Sequence, residues 1–108
     1  MPRRSSPAPK RLVVVVWKDI ISRADWAGEI DEILGDIEPI LCLTVGWIIR
    51  DDDETLTLAD SATRDKTYGG LTSIPKSVVV EVDELRKESP IDILNKAHSK
   101  YKKRRKTK

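Results

Sequence analysis

The chain has 108 residues, 39% of them hydrophobic and 5% aromatic with no Phe, and a formal net charge of +2. That limits it to one small domain with a core of Val, Ile and Leu, which excludes a large enclosed active site and favours strands. The single cysteine, Cys42, excludes an intramolecular disulfide and a multi-cysteine zinc set, and its apolar surroundings predict a buried, inert thiol.

Charge is unevenly placed along the chain. Residues 1–11 carry four cations and no acid, residues 96–108 carry eight cations and no acid, and the span between holds eight cations against all 18 acids, a net of −10. An acidic body therefore lies between two basic ends.

In chain order, "MPRRSSPAPK" has too little apolar surface to offset its ordering entropy, so residues 1–11 are expected to form a disordered basic arm. The run "LVVVVW" that follows is too short for a signal-peptide core, and no stretch approaches the roughly 20 apolar residues of a membrane helix. A cytoplasmic protein with no membrane partner is expected. "RLVVVVWKD" reads as a central strand with two apolar faces, Leu12, Val14 and Val16 against Val13, Val15 and Trp17.

In "IISRADWAGEIDEILGDIEP", Trp26, Ile30, Ile33, Leu34 and Ile37 recur at helical steps, and Ser22 or Asp25 is a candidate cap. Gly35 and Pro39 end this short helical insertion, which Gly28 interrupts. From Ile40 the period becomes two, with Leu41, Leu43, Val45, Trp47 and Ile49 on one face; Gly46 predicts a bend or a close backbone approach. Leu56 and Leu58 alternate after "DDDE", which makes Asp51–Glu54 the turn of a hairpin. "DSATRDKTYGG" reads as a polar loop. Beyond it, Leu71 to Ile74 is a short strand, Pro75-Lys76-Ser77 a tight turn, and Val78, Val80 and Val82 the inner face of a last strand. Ser89-Pro90 then starts a helix in which Ile91, Leu94, Ala97, His98 and Tyr101 share a face; its shortness predicts partial order.

These elements imply a mainly β body over residues 12–88 and a helical, strongly basic tail over residues 89–108. About five antiparallel strands avoid free edges best by closing into a small SH3-like or Sm-like barrel, with a helical insertion after strand 1 and a C-terminal helix.

Nothing in the chain assembles a catalytic set. The only histidine, His98, falls in the basic tail away from Cys42, and there is no nucleophile elbow and no Gly-rich phosphate loop. "DDDET" lacks the glycine and the ligand spacing of a calcium loop. No enzyme activity, cofactor or metal is therefore expected. Two binding surfaces are. Lys100, Lys102, Lys103, Arg104, Arg105 and Lys106 form a polyanion-binding tail, a nucleic-acid contact, whose bland counterpart is a solubilising tail. Trp26 with Asp51, Asp52 and Asp53 is the candidate partner-protein surface, although Trp26 could instead plug the mouth of the barrel, and Trp17 and Trp47 belong to core or rim.

The stretch "VGWIIRDDDETLTL" resembles the strand, turn and strand of Sm-like barrels, with a Gly at Gly46 and an Asp six positions on at Asp52. The resemblance implies barrel shape alone, because Leu56 stands where that family has its RNA-contacting Asn. The wider pattern "VVVVWKD", "LTVGWIIRDDDETLTLA" and "SIPKSVVVEVDEL", over about Leu12 to Leu85, resembles short bacteriophage and prophage proteins of no assigned activity. It implies a phage accessory protein acting in the host cytoplasm. The expected function is a non-catalytic binding module that docks a host or phage protein while its basic ends contact nucleic acid, DNA or RNA. The alternative is an anti-host inhibitor whose acidic body mimics nucleic acid. Oligomeric state stays open, since the apolar first strand suits either a sheet centre or a dimer interface.

Overall fold

The computed structural model describes residues 9–22, 24–26 and 28–106, apart from the side chains of Asp36 and Lys106. The expected basic arm lies mostly outside these residues. Five strands, β1 (Leu12–Asp19), β2 (Ile40–Asp51), β3 (Thr55–Ala62), β4 (Tyr68–Pro75) and β5 (Val79–Arg86), form one antiparallel sheet in the order β4-β3-β2-β1-β5. Helix α1 (Ile30–Asp36) is inserted after β1, and helix α2 (Pro90–Lys106) follows β5. The mainly β class, the insertion and the C-terminal helix are as the sequence implies.

The core follows from strand alternation. Val13 and Val15 of β1, Leu56 and Leu58 of β3 and Ile74 of β4 point to one side and are fully buried, with Trp17, Ile48, Val78 and Val79 packed around them. The other residues of β1, Leu12, Val14 and Val16, are only half-buried. Gly46 is the close approach that its position suggests: a Cβ there would lie 2.8 Å from the Ala59 carbonyl oxygen and 3.0 Å from the Leu58 Cβ.

The sheet is strongly curled. β4 and β5 are the outermost strands, and in a flat sheet they would stand about 19 Å apart. They are joined by a single 3₁₀ turn, Lys76–Val78, which spans less than about 10 Å. The two edges must therefore bend toward each other at this end, and Val78 closes over the core there. The turn is pinned by the Lys76 amide, which donates to the Glu54 carbonyl at 2.8 Å. No β4–β5 ladder completes the ring among the described residues.

Several local expectations change. Val78 of the 3₁₀ turn and Val79 of β5 pack on the core, because β-bulges leave Val80 and Leu85 unpaired opposite β1 and turn Val80 outward. Val82 pairs with Val15 but lies on an edge strand and stays partly exposed. The polar loop shrinks to Thr63–Thr67, since β3 and β4 continue pairing out to Ala62 and Tyr68. Cys42 is half-buried rather than buried, paired with Trp17 at the margin of the core. Helix α1 starts at Ile30 with Glu29 at its N-cap and no side-chain cap, so neither Ser22 nor Asp25 caps it. Gly28, at φ +111°, holds a backbone conformation that precludes an earlier helical start. Helix α2 is longer and more complete than expected, with 17 residues; Ser89 Oγ accepts from the Asp92 amide at 3.1 Å, and cations near the C-terminus suit the helix dipole.

The Cα radius of gyration is 20.0 Å, well above the about 13 Å of a compact chain of this length. Helix α2 alone is about 25 Å long.

Candidate nucleic-acid interface

Helix α2 is seated by its first turns. Ile91 is buried, and Ile93, Leu94 and Pro90 line a shallow cavity of about 290 Å³ with Trp47, Asp60, Ser61 and Ala62. The Trp47 indole donates to the Glu88 carbonyl at 3.1 Å, which fixes the chain just before the helix. The Glu88 carboxylate receives Lys96 Nζ at 2.6 Å and Arg86 Nε at 2.9 Å, joining the helix to the end of β5. Those two cations, Lys96 first, hold Glu88 below the usual carboxylate range. On another side of the helix, Arg64 Nε donates to Asn95 Oδ1 at 3.3 Å. Partial burial lowers the His98 pKa, and the nearby charges of Arg64 and Lys102 add to the effect. Ile91, Leu94 and His98 thus form the packed side, whereas Ala97 and Tyr101 are exposed.

Beyond His98 the helix leaves the body. Lys100, Lys102, Lys103, Arg104 and Arg105 are all exposed, and Lys106 is its last residue. Among the described residues, Lys100, Lys102 and Lys103 make no ion pair with the acidic body. The Arg105 guanidinium lies over the Tyr101 ring, 5.7 Å from its centroid. Lys96, Lys100 and Lys103 recur at steps of four and three, so they share one side of the helix. Like charges at this spacing repel, and a row of phosphates relieves that repulsion.

A second basic cluster joins the end of the N-terminal arm to a cation that the linear charge count hides in the acidic span. Lys10, Arg11 and Lys87 surround an open depression of about 540 Å³ with Glu84, whose carboxylate binds Arg11 Nε at 2.9 Å and Lys87 Nζ at 3.8 Å. Arg64, Arg86 and Lys87 are hidden in the net −10 of the central span; the pair Arg86-Lys87, separated from the Ser89 cap by Glu88, is the available signal.

The other predicted site residues lie elsewhere. Asp51 is paired with Lys76. Asp52 Oδ1 accepts the amides of Glu54 and Thr55 at 2.9 and 2.8 Å, and its other oxygen receives Arg50 Nε at 2.6 Å. Arg50 foremost, then the two amides, push the Asp52 pKa down to about 2. Asp53 is exposed at the tip. The acids therefore build the hairpin turn. Because the folded pKa lies below the ordinary 3.8, the charge of Asp52 stabilises the fold above pH 3.8 and that contribution fades as pH falls toward 2. Asp52→Asn should remove this part of the acid dependence, so that urea midpoints of variant and wild type differ at neutral pH and converge in acid.

Trp26 is fully exposed in the β1–α1 connection and plugs nothing. That connection is attached at the Asp19–Ile40 end of the sheet, whereas Asp51–Asp53 stand at the other end of β2, about 35 Å along the strand. The structure does not gather the four residues into one surface through β2.

Among the described residues no group of three or more His, Cys, Asp or Glu side chains is arranged to hold a metal ion, and no helix is long and apolar enough to cross a membrane. Comparison with protein-family models, curated proteins and solved structures found no match.

Proposed function

We propose that this protein is a non-catalytic binding module whose helix α2 holds nucleic acid by its phosphates while the sheet body docks a protein partner. The observation that carries the reading is the outer half of α2, where Lys100, Lys102, Lys103, Arg104, Arg105 and Lys106 occur without an acid on a helix that projects from an acidic body. A cationic helix with the side-chain spacing of α2 matches a duplex backbone or a structured RNA by charge, not by base sequence. The curled sheet, a β1–β4 meander with β5 returned beside β1 through a 3₁₀ link, supports reading the body as a small SH3-like barrel. Its resemblance to phage and prophage proteins supports an accessory role in a host cytoplasm. The Trp26 connection is the body's most exposed aromatic surface and the place for a protein contact.

Mimicry of nucleic acid by the acidic turn is the weaker reading, because Asp51 and Asp52 are held by Lys76 and Arg50. Those pairings neutralise two of the four acids and leave Asp53 and Glu54 as the exposed charge of the turn.

Deletion of residues 99–108 tests the proposal. Binding of a labelled duplex and of a labelled RNA hairpin at low salt should be lost, with an unchanged thermal melt because the packed turns of α2 remain. Undiminished binding by the truncated chain refutes the role of α2.

A further inference from the structure

Two carboxylates at the end of β5 each hold two cations. Glu84 binds Arg11 Nε at 2.9 Å and Lys87 Nζ at 3.8 Å; Glu88 binds Arg86 Nε at 2.9 Å and Lys96 Nζ at 2.6 Å. The sheet register brings the first set together. Leu12 pairs with Arg86, so Arg11 and Lys87 are the next residues outward on neighbouring antiparallel strands. Arg11 is anchored there, because its carbonyl accepts the Ile48 amide at 3.0 Å. With Lys10 they surround the open depression described above. The Lys87 side chain is 80% exposed and that of Glu84 only 28%, so the acid is the more covered member and the cation the one that solvent or a ligand meets.

This depression stands at the root of α2. Between Lys87 and Pro90, the Glu88 carbonyl is held by the Trp47 indole and the Ser89 hydroxyl by the Asp92 amide, which makes the link to the helix a fixed one. From Lys87 to Arg105 the chain covers at most about 33 Å. One turn of a duplex is about 34 Å.

We propose that Lys10, Arg11 and Lys87 form a second phosphate-backbone contact, continuous with helix α2, at which a phosphate replaces Glu84 as the counter-charge of Arg11 and Lys87. The inference rests on the reading of α2 as a nucleic-acid contact. Exchange at this place costs little, because an exposed ion pair contributes little in water, and the Arg11 guanidinium suits a phosphate as well as a carboxylate. Three cations opposed by one acid are a weak contact alone, so the depression adds to α2 and does not substitute for it. The two basic ends of the chain, far apart in sequence, thereby serve one ligand.

Salt titrations of the full chain binding a labelled duplex of about 20 base pairs, roughly two turns, test the proposal. Lys10→Gln combined with Lys87→Gln should lower the slope of log K against log salt by about 1–2 and weaken binding on the order of tenfold at low salt, with an unchanged melt because both side chains are exposed. Glu84→Gln should tighten binding severalfold. Glu38→Gln removes the same charge beside Ile40, which lies at the far end of the β1–β2 ladder from Arg11, and should tighten it much less. An unchanged slope in the double variant, with binding lost on deletion of residues 99–108, overturns the second contact and leaves α2 standing. Equal tightening by Glu84→Gln and Glu38→Gln overturns it too, since net charge alone would then explain the effect. Undiminished binding after the deletion refutes the role of α2 and with it the continuous track.

Discussion

Leu58→Ala is expected to destabilise the fold by about 2–5 kcal/mol, whereas Leu43→Ala, on the neighbouring strand but the opposite face, should cost less than about 1 kcal/mol in the monomer. Leu58 is one of the five largest fully or almost fully buried side chains among the described residues, with Val13, Val15, Leu56 and Ile74. These five come from β1, β3 and β4, and a void at Leu58 removes contacts that no mobile neighbour can refill. Leu58 also packs under Gly46, where the strands are already at their closest. A domain of this size has a total stability of about 10 kcal/mol, on the order of 0.1 kcal/mol per residue. Leu58→Ala alone should therefore bring much of the population near its unfolding midpoint at moderate urea. Leu43 has 64% of its surface in water already, so little burial is lost. Urea titrations of both variants at low protein concentration check the contrast, and equal costs would mean that the core lies on the other face.

Neutralising Lys100, Lys102 and Lys103 together by Lys→Gln should weaken polyanion binding by on the order of a hundredfold at low salt and reduce the slope of log K against log salt by about 2–3. The three residues are exposed and make no ion pair among the described residues, so their removal frees no buried partner and the melting temperature should hold. The change should be uniform across unrelated sequences, because phosphate contacts position a protein without reading bases. A variant whose slope is unchanged would show that α2 touches no phosphates. If affinity falls for one sequence and not another, the helix reads bases as well.

Much of this architecture was legible in linear order. The continuous apolar run Leu12–Trp17 and the period-two alternation of Ile40–Ile49 mark β1 and β2, and the acids of Asp51–Glu54 mark the turn between β2 and β3, because Asp side chains cap nearby backbone amides. Gly46 announced the contact with Ala59. The helical step from Trp26 to Ile37 announced α1, and Ser89-Pro90 announced α2.

The details that escaped depend on pairing between distant residues. Alternation assigned Val80 to the inner face, but a bulge opposite Val16 and Trp17 displaces it by one residue, and a displacement of one reverses a side chain. The strand ends at Asp60–Ala62 and Tyr68–Gly70 are polar, and they are strands only because they pair with each other. Gly70, at φ +63°, sits opposite Asp60, whose carboxylate occupies the space a Cβ would need. The body cations Arg64, Arg86 and Lys87 were scattered among acids, and they reach α2 and the N-terminal arm only through the folded positions of Asn95, Glu88 and Glu84.

Composition and spacing were sufficient for strand identity, for the turn and for the segregation of charge, since each depends on neighbours within about eight residues. The uncovered face of β1 and β2 is a different matter. Periodicity says that Leu41, Leu43 and Val45 lie together, but whether something covers them depends on where α1 and α2 travel after leaving the sheet. That is set by the packing of Trp47 and Glu88 at one end and by Gly28 at the other, contacts with no local pattern to announce them.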